Sequence, residues 1–212
     1  MKDLVIIGAG GFGRQVAWIV ERINQATPTW NLVGFVDDNE AVHGIVQNGY
    51  RVLGSCEYLR DIQRECWVVC AVGNVNARKK IVERVSEYSN VRFATIIDPS
   101  VLYSDTAVFG EGSILVYTSV FTTNVTIGKH VIIDAGTTVG HDAVVGDFVT
   151  VYPSTNVSGS VQIGDMCEIG MGTRIVQGKS IVAHTITGAG AVVVKDIAES
   201  GTYVGCPVKK IK

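Results

Sequence analysis

The chain is predicted to fold as a small α/β, Rossmann-like domain followed by a long parallel β-helix, and three observations carry that prediction. A short apolar run, Leu4 to Ile7, meets a glycine cluster and then a helical pattern, the opening of a βαβ unit. Between Ile127 and Ile197 an aliphatic residue returns at every sixth position: Ile127, Ile133, Val139, Val145, Val151, Val157, Ile163, Ile169, Ile175, Ile181 and Val193, with Thr187 as the lapse. That period fits neither a helix at about 3.6 residues per turn nor a single strand, so it marks an internal repeat of short strand plus turn. The fourth residue after each aliphatic is compact (Val131, Thr137, Ala143, Val149, Thr155, Val161, Cys167, Thr173, Thr185, Ala191; Lys179 is the exception), as a corner beside a packed core requires.

Taken in order, Leu4–Ile7 is the first strand, and Val16, Ile19, Val20 and Ile23 fall on one face of the helix after Gly8, Gly10, Gly11 and Gly13. Leu32–Val36 is a second strand ending at Asp37 and Asp38, and Trp67–Val72 a third ending at Gly73 and Asn74. A basic amphipathic helix with Ile81, Val82 and Val85 inward follows, then a fourth strand, Phe93–Ile97, and Asp98–Pro99 close the domain. The six-residue period starts as Ile96, Leu102, Val108, Ile114 and Val120 and resumes one residue late at Ile127, so a bulged insertion is expected near Thr122 to Asn124. Glycine often follows the column aliphatic (Gly128, Gly140, Gly146, Gly164, Gly170, Gly188), as a turn with positive φ would want. Boundaries are placed at 1–98, 99–198 and a capping tail, 199–212, in which Gly205, Cys206 and Pro207 lie across the last coil.

Composition narrows the function classes. Hydrophobic residues make up 47% and charged ones 18%, which excludes a disordered chain, and a net charge of −2 offers no general attraction to nucleic acid or an anionic membrane. No apolar stretch reaches the roughly 20 residues that span a bilayer, and the opening residues do not read as a signal peptide. Five cysteines, odd in number and without a C-x-x-C pair, predict neither a disulfide framework nor a zinc site, and a reducing cytoplasm is expected.

Two places carry chemistry. The glycine cluster can bring backbone N–H groups and a helix N-terminus against a phosphate, although such a motif also serves simply to pack a helix tightly on a strand. Asp37 lies 24 residues past Gly13, near where an acid meets a ribose hydroxyl, so NAD is weighed. Four strands without a second mononucleotide half suit the nucleotide portion of a substrate better. In the repeat, His141 occupies a turn and is followed by Asp142; it is either an exposed turn residue or a general base whose tautomer a carboxylate fixes. Asp142 and Asp134 are candidates for that orienting role, or else cap turns. Of the other histidines, His43 falls in a loop, and His130 and His184 sit three after a column aliphatic, where exposure is expected.

With those residues in view, the chain resembles the hexapeptide-repeat acyltransferases, and more narrowly the sialic acid O-acetyltransferase family that includes acetyltransferases of UDP-linked 4-amino-sugars. The resemblance covers nearly the whole chain: GAGGFGRQV from Gly8, FVDDN from Phe35, AVGN from Ala71, IDPS from Ile97, GHDAVVGDFV from Gly140, GAGAVVVKD from Gly188 and VGCPVKKI from Val204. It implies a left-handed coil and a homotrimer. It implies that Gly10, Gly11, Phe12, Asp37, Asp38 and Gly73 hold the nucleotide part of the substrate, and that His141 is the general base oriented by Asp142. Acetyl-CoA would lie in a groove between two subunits' coils against Gly159, Met171 and the loop at Ala189, with no metal. In three places the chain departs from its relatives. Phe12 stands where many have a histidine, Thr150 where a second histidine would contact acetyl-CoA, and Asp134 where asparagine is common, bringing a charge that favours an ammonium substrate. The implied activity is acetyl-CoA-dependent N-acetylation of a nucleotide-linked amino-sugar for a surface glycan. The alternatives are O-acetylation of sialic acid or another sugar hydroxyl, and a non-catalytic nucleotide-binding module.

Overall fold

The computed structural model describes all 212 residues, which divide into two compact units, Met1–Pro99 and Ser100–Lys212. In the first, β1 (Lys2–Ile7) has β2 (Trp30–Val36) on one side and β3 (Cys66–Cys70) on the other, with β4 (Val91–Phe93) outermost, all parallel. Helix α1 (Gly11–Ala26) buries Val16, Ile19 and Val20, as its periodicity predicts. It lies so close to the sheet that a Cβ on Gly13 would overlap the Gly8 carbonyl, and only glycine fits. The strand order reverses beside β1, which places a crevice at the carboxyl ends of the strands, where Gly8, Asp37 and Val72 converge.

Two expectations for this unit change. The fourth strand stops at Phe93: Ala94 N–H makes the last ladder bond, to the Val68 carbonyl, and Ile96–Ile97 is a separate short strand. Beyond it Asp98 is buried and needs a counter-charge, which Arg22 of α1 supplies through bonds of 2.7 and 3.1 Å. In α2 (Val75–Ser86) the inner face is Val75, Arg78, Val82 and Val85, whereas Ile81 is half-buried and lines the crevice.

The second unit is a left-handed parallel β-helix of two-residue strands in three faces. One face runs Phe121, Val139, Val157, Ile175, Val193, each residue paired with the one 18 positions on. The column aliphatics from Ile127 onward are all at most 3% exposed, and the compact residues Val131, Thr137, Ala143 and Val149 are fully buried. Thr187 is tolerated in the column because its buried hydroxyl is satisfied by Gly170 N–H at 3.0 Å and Thr173 Oγ1 at 3.1 Å.

The repeat differs from its reading in four ways. No residue is inserted near Thr122 to Asn124: Val120 pairs with both Leu102 and Thr138, so the 18-residue coil is unbroken. The inward residues of the early coils are Phe109, Leu115 and Phe121, whereas Leu102 and Val108, from which the period is counted, are 67% and 59% exposed. Positive φ falls three residues after the column, at Asn124, His130, Asp142 and Phe148, and not on the glycines directly after it. Those glycines answer to a close approach, since a Cβ on Gly140 would stand 2.5 Å from the Gly159 nitrogen of the next coil. His130 is buried, stacked on Phe148 at 5.1 Å with Gly112 leaving room for its ring, while His184 is exposed as expected. The tail runs across the end of the last coil: Gly201–Val204 adds in parallel to Thr185–Thr187, the Gly205 carbonyl accepts Val192 N–H and Val208 N–H donates to the Val192 carbonyl on another face, both at 3.0 Å, and Lys209–Lys210 turns back on Tyr203–Val204.

Candidate active site

At the carboxyl edge of the α/β sheet the chain builds an open glycine loop. Gly10 is the N-cap of α1, and a Cβ on Gly10 or Gly73 would meet nothing within 4 Å, so the backbone can be approached closely there. Phe12, half-buried, sits in the first turn of a 16-residue helix whose positive end faces this loop. Asp37, placed at the end of the second strand, is bound to the loop through its backbone neighbours. Its Oδ2 accepts Ala9 N–H at 2.8 Å and its Oδ1 accepts Asn39 N–H at 2.9 Å, which fixes the glycine loop. His43 Nε2 meets the Asp37 carbonyl at 2.7 Å.

Asp38 is likewise engaged. Its carboxylate pairs with Arg84 at 2.5 Å and accepts Cys56 N–H at 3.2 Å. Burial pushes its pKa up, but the Arg84 guanidinium and the Cys56 N–H outweigh that and hold it below the usual carboxylate value. Arg84 also reaches Glu57 at 3.6 Å. The loop ending at Gly73 is held from beneath by Arg78, 1% exposed, which donates to the carbonyls of Val72 at 2.8 Å and Gly73 at 3.0 Å. Neither arginine was singled out by the sequence reading. Arg78 leaves one signal, a charge on the apolar stripe of an amphipathic helix.

The second constellation lies at one corner of the β-helix. Here Thr123–Asn124, His141–Asp142 and Gly159–Ser160 occupy equivalent turns of successive coils. His141 Nδ1 and Asp142 Oδ2 are 2.8 Å apart, both side chains about half exposed. The ring bond, and then the Asn124 amide at 3.1 Å, hold the Asp142 carboxyl below its ordinary pKa, so it remains ionised. With Nδ1–H donating to that carboxylate, the lone pair is on Nε2, which makes no hydrogen bond within the chain. The ring lies over Gly159: a Cβ there would stand 2.5 Å from Nε2. Buried Gly159 is thus the floor under the imidazole.

The remaining candidates scatter. Asp134 stands at the preceding corner, one side of the prism from His141, and its Oδ1 accepts Ala135 N–H at 2.7 Å; Asp142, not Asp134, orients the histidine within one chain. Thr150 is 2% exposed. Met171, 56% exposed, and Ala189 are accessible and occupy equivalent turns of successive coils. No group of three His, Cys, Asp or Glu side chains is placed to hold a metal ion, and no helix is long and apolar enough to cross a membrane.

Comparison with known proteins bears on this geometry. Residues 3–85 match the PglD N-terminal domain family. Over 174 residues the chain is 31% identical to the GDP-perosamine N-acetyltransferase of Escherichia coli O157:H7, covering 82% of this chain and 77% of that protein. The acetyltransferase domain of PglB from Neisseria gonorrhoeae FA1090, solved in complex with acetyl coenzyme A, superposes with a TM-score of 0.89 at 30% identity over 99% of both chains. PerB from Caulobacter crescentus, solved with CoA and GDP-perosamine, gives 0.87 at 28% identity over 100% of this chain and 98% of that one. A hexapeptide β-helix with a histidine–carboxylate pair on its corner, following a small α/β domain in the sequence, defines an acyltransferase of the hexapeptide-repeat class. Within that class, the chain belongs to the family of nucleotide-sugar acetyltransferases that includes GDP-perosamine N-acetyltransferase.

Proposed function

We propose that this enzyme transfers the acetyl group of acetyl-CoA to the amino group of a nucleotide-linked amino-sugar, with His141 as the general base. The observation that carries the reading is the 2.8 Å bond between His141 Nδ1 and Asp142 Oδ2, which leaves Nε2 to accept a proton. The sugar amine, as its free base, attacks the thioester carbonyl and forms a C–N bond, and Nε2 takes the proton released from nitrogen. Asp142 stabilises the imidazolium. Collapse of the tetrahedral adduct breaks the C–S bond, and the departing CoA sulfur recovers that proton as a thiol.

The nucleotide part sits at the crevice of the α/β unit. Its diphosphate faces Gly10, Gly11 and the positive end of α1, with Phe12 and Gly73 beside it. Asp37, Asp38 and Arg78 shape that crevice. Acetyl-CoA lies against Gly159, Met171 and Ala189 in a groove completed by a second subunit of a homotrimer, and the charge of Asp134 favours an ammonium substrate. A cytoplasmic setting suits five unpaired cysteines, and the product serves a surface glycan.

The test is release of free CoA when the enzyme is given acetyl-CoA with matched amino and hydroxy nucleotide-sugars. Turnover of the amine is expected, and preference for the alcohol would overturn N-acetylation. His141→Ala is expected to lower kcat by about 10² to 10⁴, and near-normal turnover would remove the histidine from its role.

A further inference from the structure

We propose that Asn124 is a positioning residue for the transfer site, holding the Asp142 carboxylate so that Oδ2 is presented to His141; the inference rests on the reading of His141 as the base. Neither residue of the dyad is confined by burial, since the His141 and Asp142 side chains are 52% and 53% exposed. A neighbouring Asp and His on an open turn sample several rotamers, and water competes for each carboxylate oxygen. Something must select the one geometry in which Nδ1 is bonded.

The coil below supplies it. Asn124 Nδ2 donates to Asp142 Oδ1 at 3.1 Å, leaving the other oxygen for the ring. Asn124 is itself fixed from the coil beneath, because its backbone N–H donates to Thr106 Oγ1 at 2.8 Å. Its φ of 58° is the left-handed conformation that asparagine tolerates better than most residues. Thr106, Asn124 and Asp142 are spaced by one coil of 18 residues, so a line of polar contacts climbs the corner and ends on His141. The corner turns directly below and above the dyad, Thr123–Asn124 and Gly159–Ser160, contain no ionisable side chain. The polarity of this line is also chemically specific. An amide N–H can serve Oδ1 without taking the proton that His141 shares with Oδ2, whereas an acid at position 124 would repel the carboxylate.

Two variants separate positioning from packing. Asn124→Gly keeps the left-handed backbone and removes only the amide; Asn124→Asp keeps the shape, deletes the donor and adds a like charge. Both are expected to lower kcat on the order of tenfold with KM for acetyl-CoA and sugar unchanged. In an Asp142→Ala background, Asn124→Gly is expected to cost nothing further, because its effect passes through Asp142. Wild-type turnover by either variant, or an equal loss in the Asp142→Ala background, overturns the inference. His141→Ala assayed alongside keeps the two readings apart. If it retains turnover, the base assignment fails and the inference with it; if it is inactive while Asn124→Gly is normal, only the positioning role is lost.

Discussion

A methyl group added at Gly159 tests the catalytic corner without touching either member of the dyad. The new Cβ would lie 2.5 Å from His141 Nε2, 2.7 Å from Cε1 and 3.0 Å from Cδ2. Ordinary van der Waals contact begins near 3.4 Å, so the ring must retreat by about 0.9 Å. It is tethered at Nδ1 to Asp142, and a retreat of that size either stretches this 2.8 Å bond or swings the imidazole into solvent. Because the His141 side chain is already 52% exposed, it yields more easily than the coil does, and the β-helix should keep its stability. A misplacement of about 1 Å at a reacting group costs around 10² in rate. Gly159→Ala is therefore expected to melt within a few degrees of the parent and to release CoA about a hundredfold more slowly at saturating substrates. An unchanged kcat, with a crystal structure or melting curve showing the fold intact, would refute the view that this glycine sets the position of the base.

Three other outcomes follow from the α/β unit and the cysteines. Arg78→Met leaves the Val72 and Gly73 carbonyls without their buried donor, at a cost of about 1–3 kcal/mol; a lower melting temperature and a raised KM for the nucleotide-sugar are expected, and a variant unchanged in both would show the loop to be held otherwise. Asp38 has its folded pKa below the ordinary 3.8, so its pairing with Arg84 stabilises the fold above that value and is lost as pH falls through the lowered one. Its side chain is 45% exposed, which limits the effect to under about 1 kcal/mol, and the melting gap between parent and Asp38→Asn should be present at pH 7 and close in strong acid; a gap that widens in acid contradicts the pairing. Burial pushes the Cys56 and Cys70 thiols up to about 12 and those of Cys66 and Cys167 to about 11, whereas Cys206 is exposed, so a thiol reagent at pH 8 should titrate one cysteine of five in the native protein, and a faster second would mean the core opens.

The repeat was legible because one period of six writes itself on several columns at once. What misled was a pair of adjacent apolar residues. Val120 and Phe121 are both hydrophobic, and counting from Val120 creates a slip that the pairing of Phe121 with Val139 removes. The compact column held the answer: Ser113, Ser119 and Val125, all fully buried, stand four after Phe109, Leu115 and Phe121 without a break. Similarly, His141–Asp142 could be read from adjacency, whereas Asn124 reaches Asp142 only across a coil and is visible solely to a reader who adds 18 to its number. Asp37 shows what spacing leaves out: its distance from the glycines suits a ribose contact, and the structure adds that its two oxygens also accept the Ala9 and Asn39 N–H groups.

His130 and His141 show how position on the corner, more than residue type, decides what a histidine does in this fold. His130 takes the left-handed slot at φ 54°, with Gly112 beneath it and Phe148 stacked 5.1 Å away at an interplanar angle of 20°, and it ends 5% exposed. Its ring fills a space between coils, so it cannot meet a substrate without the stack coming apart. His141 occupies the turn position one earlier, and the left-handed slot goes to Asp142 at φ 59°. That arrangement turns the carboxylate toward the ring instead of burying the ring between coils. The bare backbone of Gly159 then leaves Nε2 uncovered on one side, and Asn124 fixes the acid on the other. A β-helix corner therefore becomes catalytic through a short list of local choices stacked at intervals of one coil: the histidine one position ahead of the left-handed slot, the acid in that slot, and a bare glycine on the next coil.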